Sequence, residues 1–281
     1  MPEGPEVESV RRTLSSRMTG ATLSSPWVSD LKLRTPVNTA DLAFADGRQV
    51  HHVRRKGKLL WMGLDDADHE GLFVRLGMSG RALLCRPDDV VEKHTHVMLD
   101  VVTAQGERWQ FRYVDPRRFG EVVPYTSRRQ FDAECAKLGP DPNAFTDDDR
   151  AFVVAKLQST SRAIKDVLLD QRVTCGVGNI YASEACFVAR LSPYWAGSAL
   201  DDVQARRLVD AVEEVMNDAV AHGGTSFSDY VDADGKRGAH QDHLWVFLRE
   251  DEPCRECGTL VERWVQGSRS TFLCPRCQPD P

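Results

Sequence analysis

Leu138-Gly139-Pro140-Asp141-Pro142-Asn143 decides how this chain folds. Two prolines and a glycine within six positions suit neither a helix interior nor a strand, so the stretch reads as a domain boundary. The pattern differs on its two sides. From about residue 20 to residue 125, short apolar runs such as Val97-Met98-Leu99-Asp100-Val101-Val102 and Arg108-Trp109-Gln110-Phe111-Arg112-Tyr113 alternate with polar turns, Asp46-Gly47 and Gln105-Gly106 among them. That half is expected to form a β-sandwich or barrel. Beyond the boundary the pattern is helical. Thr146 is placed to cap a helix whose first turn is Asp147-Asp148-Asp149. Ile164, Val167 and Leu168 mark a second helix, and residues 179–188 a third. Residues 201–222 form a long amphipathic helix through Val203, Leu208, Val209, Val212, Val215 and Met216, ended by Gly223-Gly224.

Each end of the chain adds an element. Met1-Pro2-Glu3-Gly4-Pro5-Glu6-Val7 opens a helix: Pro5 suits a first turn, and Val7, Val10, Leu14 and Met18 recur at helical spacing. At the other end, Cys254-Arg255-Glu256-Cys257 and Cys274-Pro275-Arg276-Cys277 enclose sixteen residues, a zinc-ribbon spacing. Four thiolates complete a tetrahedron with no open position, so one structural Zn2+ on Cys254, Cys257, Cys274 and Cys277 is expected. The ion would fix a hairpin with Trp264-Val265 and Thr271-Phe272-Leu273 as strands and Arg269 at the tip. Such a hairpin suits a DNA groove; a solvated turn arginine is the plain alternative. The other cysteines, Cys85, Cys135, Cys175 and Cys186, are scattered and read as small buried hydrophobes.

The 281 residues are 41% hydrophobic and 28% charged, which suits a globular chain of two domains with an appendage. No apolar run approaches the ~20 residues that span a bilayer, and no basic-then-apolar leader opens the sequence. A cytoplasmic, nucleoid-associated location with no membrane partner is therefore expected. The net charge of −6 speaks against a uniformly basic nucleic-acid binder, but the charges are segregated. Acids gather at residues 65–70, Asp88-Asp89, Asp147-Asp148-Asp149 and Asp201-Asp202, and read as solvated loops and helix starts. Bases gather at Arg54-Arg55-Lys56-Gly57-Lys58, between residues 108 and 118, and at Arg128-Arg129, enough for a local phosphate-binding surface.

Removal of Met1 would leave Pro2 with a free secondary amine beside Glu3. A free α-amine titrates near ~8, and the positive end of a helix dipole lowers it further, so part of it is nucleophilic at neutral pH. A secondary amine that attacks a sugar C1′ forms only a cationic iminium. That iminium is an electron sink: it acidifies the 2′ proton and lets a 3′ phosphate leave. The plain alternative is a helix that merely begins Pro-Glu-Gly-Pro, and the chemistry requires residue 2 to be reachable rather than buried. Cys175-Gly176-Val177-Gly178-Asn179-Ile180-Tyr181 is a second candidate. Its glycines would let the backbone approach a phosphate at a helix start, with Asn179 as a further donor; a tight packed turn explains the same residues.

Pro2-Glu3-Gly4-Pro5-Glu6-Val7, Arg55-Lys56-Gly57-Lys58, Leu76-Gly77-Met78-Ser79-Gly80, Lys93-His94-Thr95-His96, Asp115-Pro116-Arg117-Arg118-Phe119-Gly120, residues 176–184, Gly223-Gly224-Thr225 and the zinc hairpin together resemble bacterial formamidopyrimidine-DNA glycosylase, in that family's order. The resemblance implies an α+β multidomain protein. It would comprise a catalytic β-sandwich with a flanking helix (1–135), a linker (136–150), a helix–two-turn–helix DNA-binding domain (151–245) and a zinc finger (246–281). It implies a monomer acting on damaged double-stranded DNA in base-excision repair. The activity implied is that of a DNA glycosylase and AP lyase that removes oxidised purines, 8-oxoguanine and formamidopyrimidines, and cuts the strand by β,δ-elimination. Pro2 would form the Schiff base, Glu3 donate the proton that opens the sugar, Lys58 assist β-elimination and Arg269 δ-elimination. His94, Arg117, Asn179 and Arg269 would hold phosphates. Met78, Arg117 and Phe119 would fill the gap left by the everted base.

The residues have readings of their own. Lys58 follows a basic run at a strand start. Met78, between glycine and serine, reads as a projecting loop residue. After the Asp115-Pro116 turn at least one of Arg117 and Arg118 should point outward, with Asp115 able to pair with them. His94 and His96 alternate, which predicts a shared strand face. Asp234-Gly235-Lys236-Arg237-Gly238 matches the family's lesion-capping loop, but Arg237 and Ala239 replace its usual proline and aromatic residue. Gly4 replaces the usual leucine, as in the sister endonuclease VIII group. The alternatives are thus an endonuclease VIII-like preference for oxidised pyrimidines, or a non-catalytic zinc-ribbon DNA-binding protein; intact Pro2, Glu3 and Lys58 speak against the latter.

Overall fold

The structure, a computed structural model, describes residues 1–227 and 230–280. Two compact units emerge: Met1–Ala136 with Gly223–Ala239, and Lys137–His222 with His240–Pro281. The first division falls just ahead of the breaker stretch at Leu138. The second splits the expected helical span 151–245, because residues 223–239 pack with the N-terminal unit.

In the first unit, helix α1 (Gly4–Met18) leads into two four-stranded antiparallel sheets. One runs in the order β1 (Thr22–Val28), β6 (Thr95–Val102), β7 (Arg108–Val114), β5 (Arg81–Cys85). The other runs β2 (His52–Lys56), β3 (Leu59–Gly63), β4 (Gly71–Arg75), β8 (Glu121–Tyr125). A short helix α2 (Thr39–Leu42) lies in the β1–β2 connection. Side chains alternate along each strand. Leu60, Met62, Leu72 and Val74 therefore share one core with Val97, Leu99, Phe111 and the Val7, Val10, Leu14 and Met18 stripe of α1. Trp61 and Phe73 face the other way. They and Tyr125 surround Phe131 of helix α3 (Arg128–Cys135), with Trp61 edge-on at 5.3 Å. Strand β3 is thus buried on both faces, which is why residues 59–62 read as an unbroken apolar run. Cys175 and Cys186 are buried as expected, whereas Cys85 and Cys135 are only half-buried, at strand and helix ends.

The second unit holds α4 (Asp147–Gln158), α5 (Ile164–Leu168), α6 (Asn179–Val188) and α7 (Asp202–Ala221), then the hairpin of β9 (Glu262–Gln266) and β10 (Arg269–Leu273). Thr146 caps α4 and Asp201 caps α7, each in a reciprocal box with the residue three positions on, Asp149 and Gln204. Leu208, Val209, Val212 and Met216 of α7 join Leu157, Leu168, Tyr181 and Cys186 in one core. Val203, expected on that face, is exposed in the first turn; the buried stripe starts at Ala205. Among the described residues no helix is long and apolar enough to cross a membrane.

Candidate active site

Glu3 is the N-cap of α1 and is buried. Its backbone N–H donates to Glu6 Oε2 at 2.7 Å, which fixes the peptide immediately after Pro2. The other oxygen, Glu6 Oε1, accepts from Thr225 N at 2.7 Å, and Tyr230 Oη donates to Glu6 O at 3.1 Å. One buried carboxylate therefore ties the start of the chain to residues 223–239. Close approach demands glycine here: at Gly224 (φ +81°) an added Cβ would lie 2.7 Å from Glu6 Oε1. The rest of the segment is fixed on the same unit. Thr13 Oγ1 donates to Asp232 Oδ2 at 3.3 Å, Arg17 pairs with Asp234 at 2.9 Å, and Leu84 N donates to Ala233 O at 2.9 Å. Lys236 and Arg237 are exposed at its turn, as is Ala239.

Pro2 itself is buried, its nitrogen held in the peptide bond to Met1, which is 59% exposed. In the chain that keeps Met1, residue 2 is therefore not open in the way the chemistry requires. The cause is its place directly ahead of a buried N-cap.

Lys58 lies in the Gly57-Lys58 turn between β2 and β3, one residue short of the expected strand start, with Gly57 at φ +57°. Arg55 pairs with Glu8 of α1 at 3.1 Å and donates to Gly57 O at 2.8 Å, so the helix is bolted to the turn that presents Lys58. Burial pushes the Glu8 carboxyl up, but Arg11 and Arg55 outweigh it and hold it down at about 2.

Two further loops are knitted by Asp115. It is fully buried and accepts from Ser79 Oγ at 2.6 Å, Arg117 N at 3.2 Å and Gly120 N at 2.8 Å. It therefore orders the loop through backbone amides, leaving the Arg117 and Arg118 side chains, both exposed, unengaged by it. Gly77 (φ +62°) approaches the Gly120 amide so closely that a Cβ there would sit 2.5 Å away. Met78 and Phe119 project at 41% and 48% exposure, and the Arg117 guanidinium lies 5.1 Å from the Phe119 ring centre. Exposed apolar side chains thus stand on two cross-braced loops. His94 joins this network through its carbonyl, which accepts from Asp115 N at 3.0 Å. His94 and His96 do not share a strand face. His94 sits ahead of β6 with φ +67°, and the pairing shifts between Thr95 and Val97; His96 is buried, its Nε2 2.9 Å from Asp115 O.

In the second unit Asn179 is the first residue of α6, after Gly178. Its Nδ2 donates to Ser270 O at 2.9 Å, so the side chain braces the hairpin instead of standing free. Lys165, fully buried, donates to the same carbonyl at 3.2 Å and to Thr271 Oγ1 at 2.7 Å. Together they fix the strand residue beside Arg269, which is exposed and opens β10 after the Gly267-Ser268 turn. Gly176 N is already bonded to Gln171 Oε1 at 2.9 Å, so that amide belongs to the packed turn. Behind the hairpin, buried Glu184 of α6 accepts from Trp245 N, Val246 N and Phe247 N at 2.7, 3.0 and 2.8 Å. Burial pushes its pKa up and the three amides pull against that.

The four cysteine sulfurs converge, with Cys254–Cys277 at 3.9 Å and Cys257–Cys274 at 3.4 Å. Tetrahedral zinc with bonds of about 2.3 Å needs sulfur edges of roughly 3.8 Å, so the residues fit one structural zinc ion. Sequence reasoning misses Glu6, Lys165 and Glu184. Glu6 carried a signal, an acid three positions after the N-cap; Lys165 and Glu184 were charges inside apolar helical runs.

Comparisons with known proteins cover most of the chain. The family model described as formamidopyrimidine-DNA glycosylase N-terminal domain matches residues 1–122, its H2TH domain 138–231, and the zinc finger found in FPG and IleRS 251–279. A formamidopyrimidine-DNA glycosylase of Herpetosiphon aurantiacus is 39% identical over 99% of this chain and 100% of its own length. The MutM (Fpg) protein of Thermus thermophilus superposes with a TM-score of 0.84 at 37% identity over 100% of both chains. Lactococcus lactis Fpg matches at 29% identity over 99% of this chain and 100% of its own. Its TM-score is 0.89 in a complex with abasic-site DNA and 0.88 with DNA containing an oxidised pyrimidine.

Proposed function

The chain belongs to the formamidopyrimidine-DNA glycosylase family, a DNA glycosylase with AP lyase activity, and from that premise we propose how its own residues act. The observation that carries the reading is the Glu3 cap: a buried carboxylic acid and its braced peptide stand next to the residue that becomes an imino terminus. Loss of Met1 turns the Pro2 amide nitrogen into an amine. That nitrogen attacks C1′ and the glycosidic bond breaks with the electron pair leaving on the base, which takes up the proton the imino nitrogen gives up. Glu3 protonates the ring oxygen as the sugar opens to the iminium. Loss of the 2′ proton then expels the 3′ phosphate, assisted by Lys58; a second elimination at the 5′ side is assisted by Arg269.

Damaged duplex DNA is held through phosphates by His94, Arg117 and Arg269, with Asn179 supporting the hairpin as well as donating its remaining N–H. Met78, Arg117 and Phe119 fill the space the everted base leaves, offsetting the few kcal/mol that eversion costs. The substrates are oxidised purines, 8-oxoguanine and formamidopyrimidines. The protein works as a monomer in the cytoplasm, at the nucleoid. A second reading, preference for oxidised pyrimidines, is favoured by Gly4, while Arg237 and Ala239 in the capping loop depart from the purine-type pattern. Duplexes carrying one lesion of each kind separate the two. The test of the mechanism is Glu3→Gln: base excision is lost, while a preformed abasic site, which already equilibrates with its ring-opened aldehyde, is still nicked. Normal excision by Glu3→Gln removes the proton-donor role.

A further inference from the structure

A second cluster of ligating side chains lies outside this machinery, at the C-terminal end of α7. Asp218 and His222 are four residues apart, hence on one helix face, and His240 begins the short helical turn His240–His243. One donor atom from each lies within 4.8 Å of the other two. His222 Nδ1 is 2.9 Å from the Asp218 carbonyl oxygen. The same Nδ1 lies 3.4 Å from Asp218 Oδ1, so ring and carboxylate already face one another. His240 is 3% exposed, and neither ring nitrogen has a hydrogen-bond partner among the described residues; Asp218 Oδ2, at 3.7 Å, is too far. Orphaned buried nitrogens of this kind call for an explanation such as an ion.

We propose that Asp218, His222 and His240 bind a divalent transition-metal ion of the zinc–cobalt–nickel class, separate from the zinc-finger ion. Two imidazoles and a carboxylate suit that class better than magnesium or calcium. Ligand edges about such an ion are roughly 3.3 Å, so the donors need to close by about 1 Å. Asp218, 51% exposed, has the freedom to do so. His243 stacks on His222 with ring centres 3.8 Å apart and stays outside the ligand set. His222 directly precedes, and His240 directly follows, the Gly223–Ala239 excursion. A bound ion would therefore staple the two ends of the segment that carries the capping loop.

The test uses the full-length protein with its finger zinc in place, titrated with Co2+ and followed by metal content and visible absorption. Wild type takes up one further equivalent, with weak ligand-field bands and no thiolate charge-transfer band. Asp218→Ala weakens that binding by about tenfold or more, His240→Asn abolishes it, and His243→Asn leaves it unchanged. Should His240→Asn fail to fold, Asp218→Ala, at a half-exposed position, decides alone. No further equivalent in wild type, or equal uptake by Asp218→Ala, overturns the proposal in favour of plain histidine packing.

Discussion

Glu6→Gln tests how the N-terminus is held. The Glu6 carboxylate accepts two buried backbone amides, from Glu3 and Thr225, each at 2.7 Å. Hydrogen bonds to a charged group contribute about 1.5–3 kcal/mol each. Glutamine keeps one acceptor oxygen and turns an NH2 donor toward the other amide, so one bond is lost and a buried N–H is left facing a donor. The expected cost is about 3 kcal/mol. For a unit of this size that corresponds to a fall of roughly 6–12 °C in its melting transition. Gly224→Ala should do comparable damage, since the new methyl lands on Glu6 Oε1 and φ is +81°. Gly223→Ala, whose Cβ would have 3.7 Å of room, should cost only about 1–2 kcal/mol for its left-handed backbone. Differential scanning calorimetry reads all three. A Glu6→Gln protein that melts within a degree of wild type, or Gly223→Ala matching Gly224→Ala, would refute the reasoning.

The other expectations concern charge and metal. Glu8 sits at about 2 folded and near 4.5 unfolded, so its stabilisation is complete above pH ~4.5 and drains away as pH falls towards 2. Glu8→Gln should flatten acid denaturation over that window, measured by urea midpoints across pH. Lys165→Met removes the buried donor to the Thr271 hydroxyl and one of two donors to the Ser270 carbonyl, leaving Asn179 Nδ2 on the latter. Duplex affinity should fall roughly tenfold, from about 1–2 kcal/mol of lost hairpin order, in a gel-shift titration. Chelation of the finger zinc should abolish DNA binding by unfolding the hairpin, and zinc should restore it; unchanged binding by metal-free protein would remove the finger from the account.

Local chemistry was readable wherever one residue type has one use. The Thr146 and Asp201 caps, the α1 stripe and the cysteine knuckles all follow from short-range rules. Contacts between distant residues were not. Nothing near Glu6 in sequence points to Thr225, and nothing near Asn179 points to Ser270. Asp115 looked like a partner for arginine side chains but holds backbone amides, because a fully buried carboxylate takes the donors that the turn brings to it. His94 and His96 looked like one strand face because alternation assumes regular pleating, and the register shift at Thr95 breaks it.

The central claim is that the nucleophile is the imino nitrogen of Pro2. Borohydride trapping on an 8-oxoguanine duplex, with the adduct mapped by mass spectrometry, tests it in protein with and without Met1. The account predicts a covalent adduct on the peptide that begins at Pro2 and none when Met1 is retained. Equal trapping with Met1 in place, or an adduct mapped to Lys58, would contradict it.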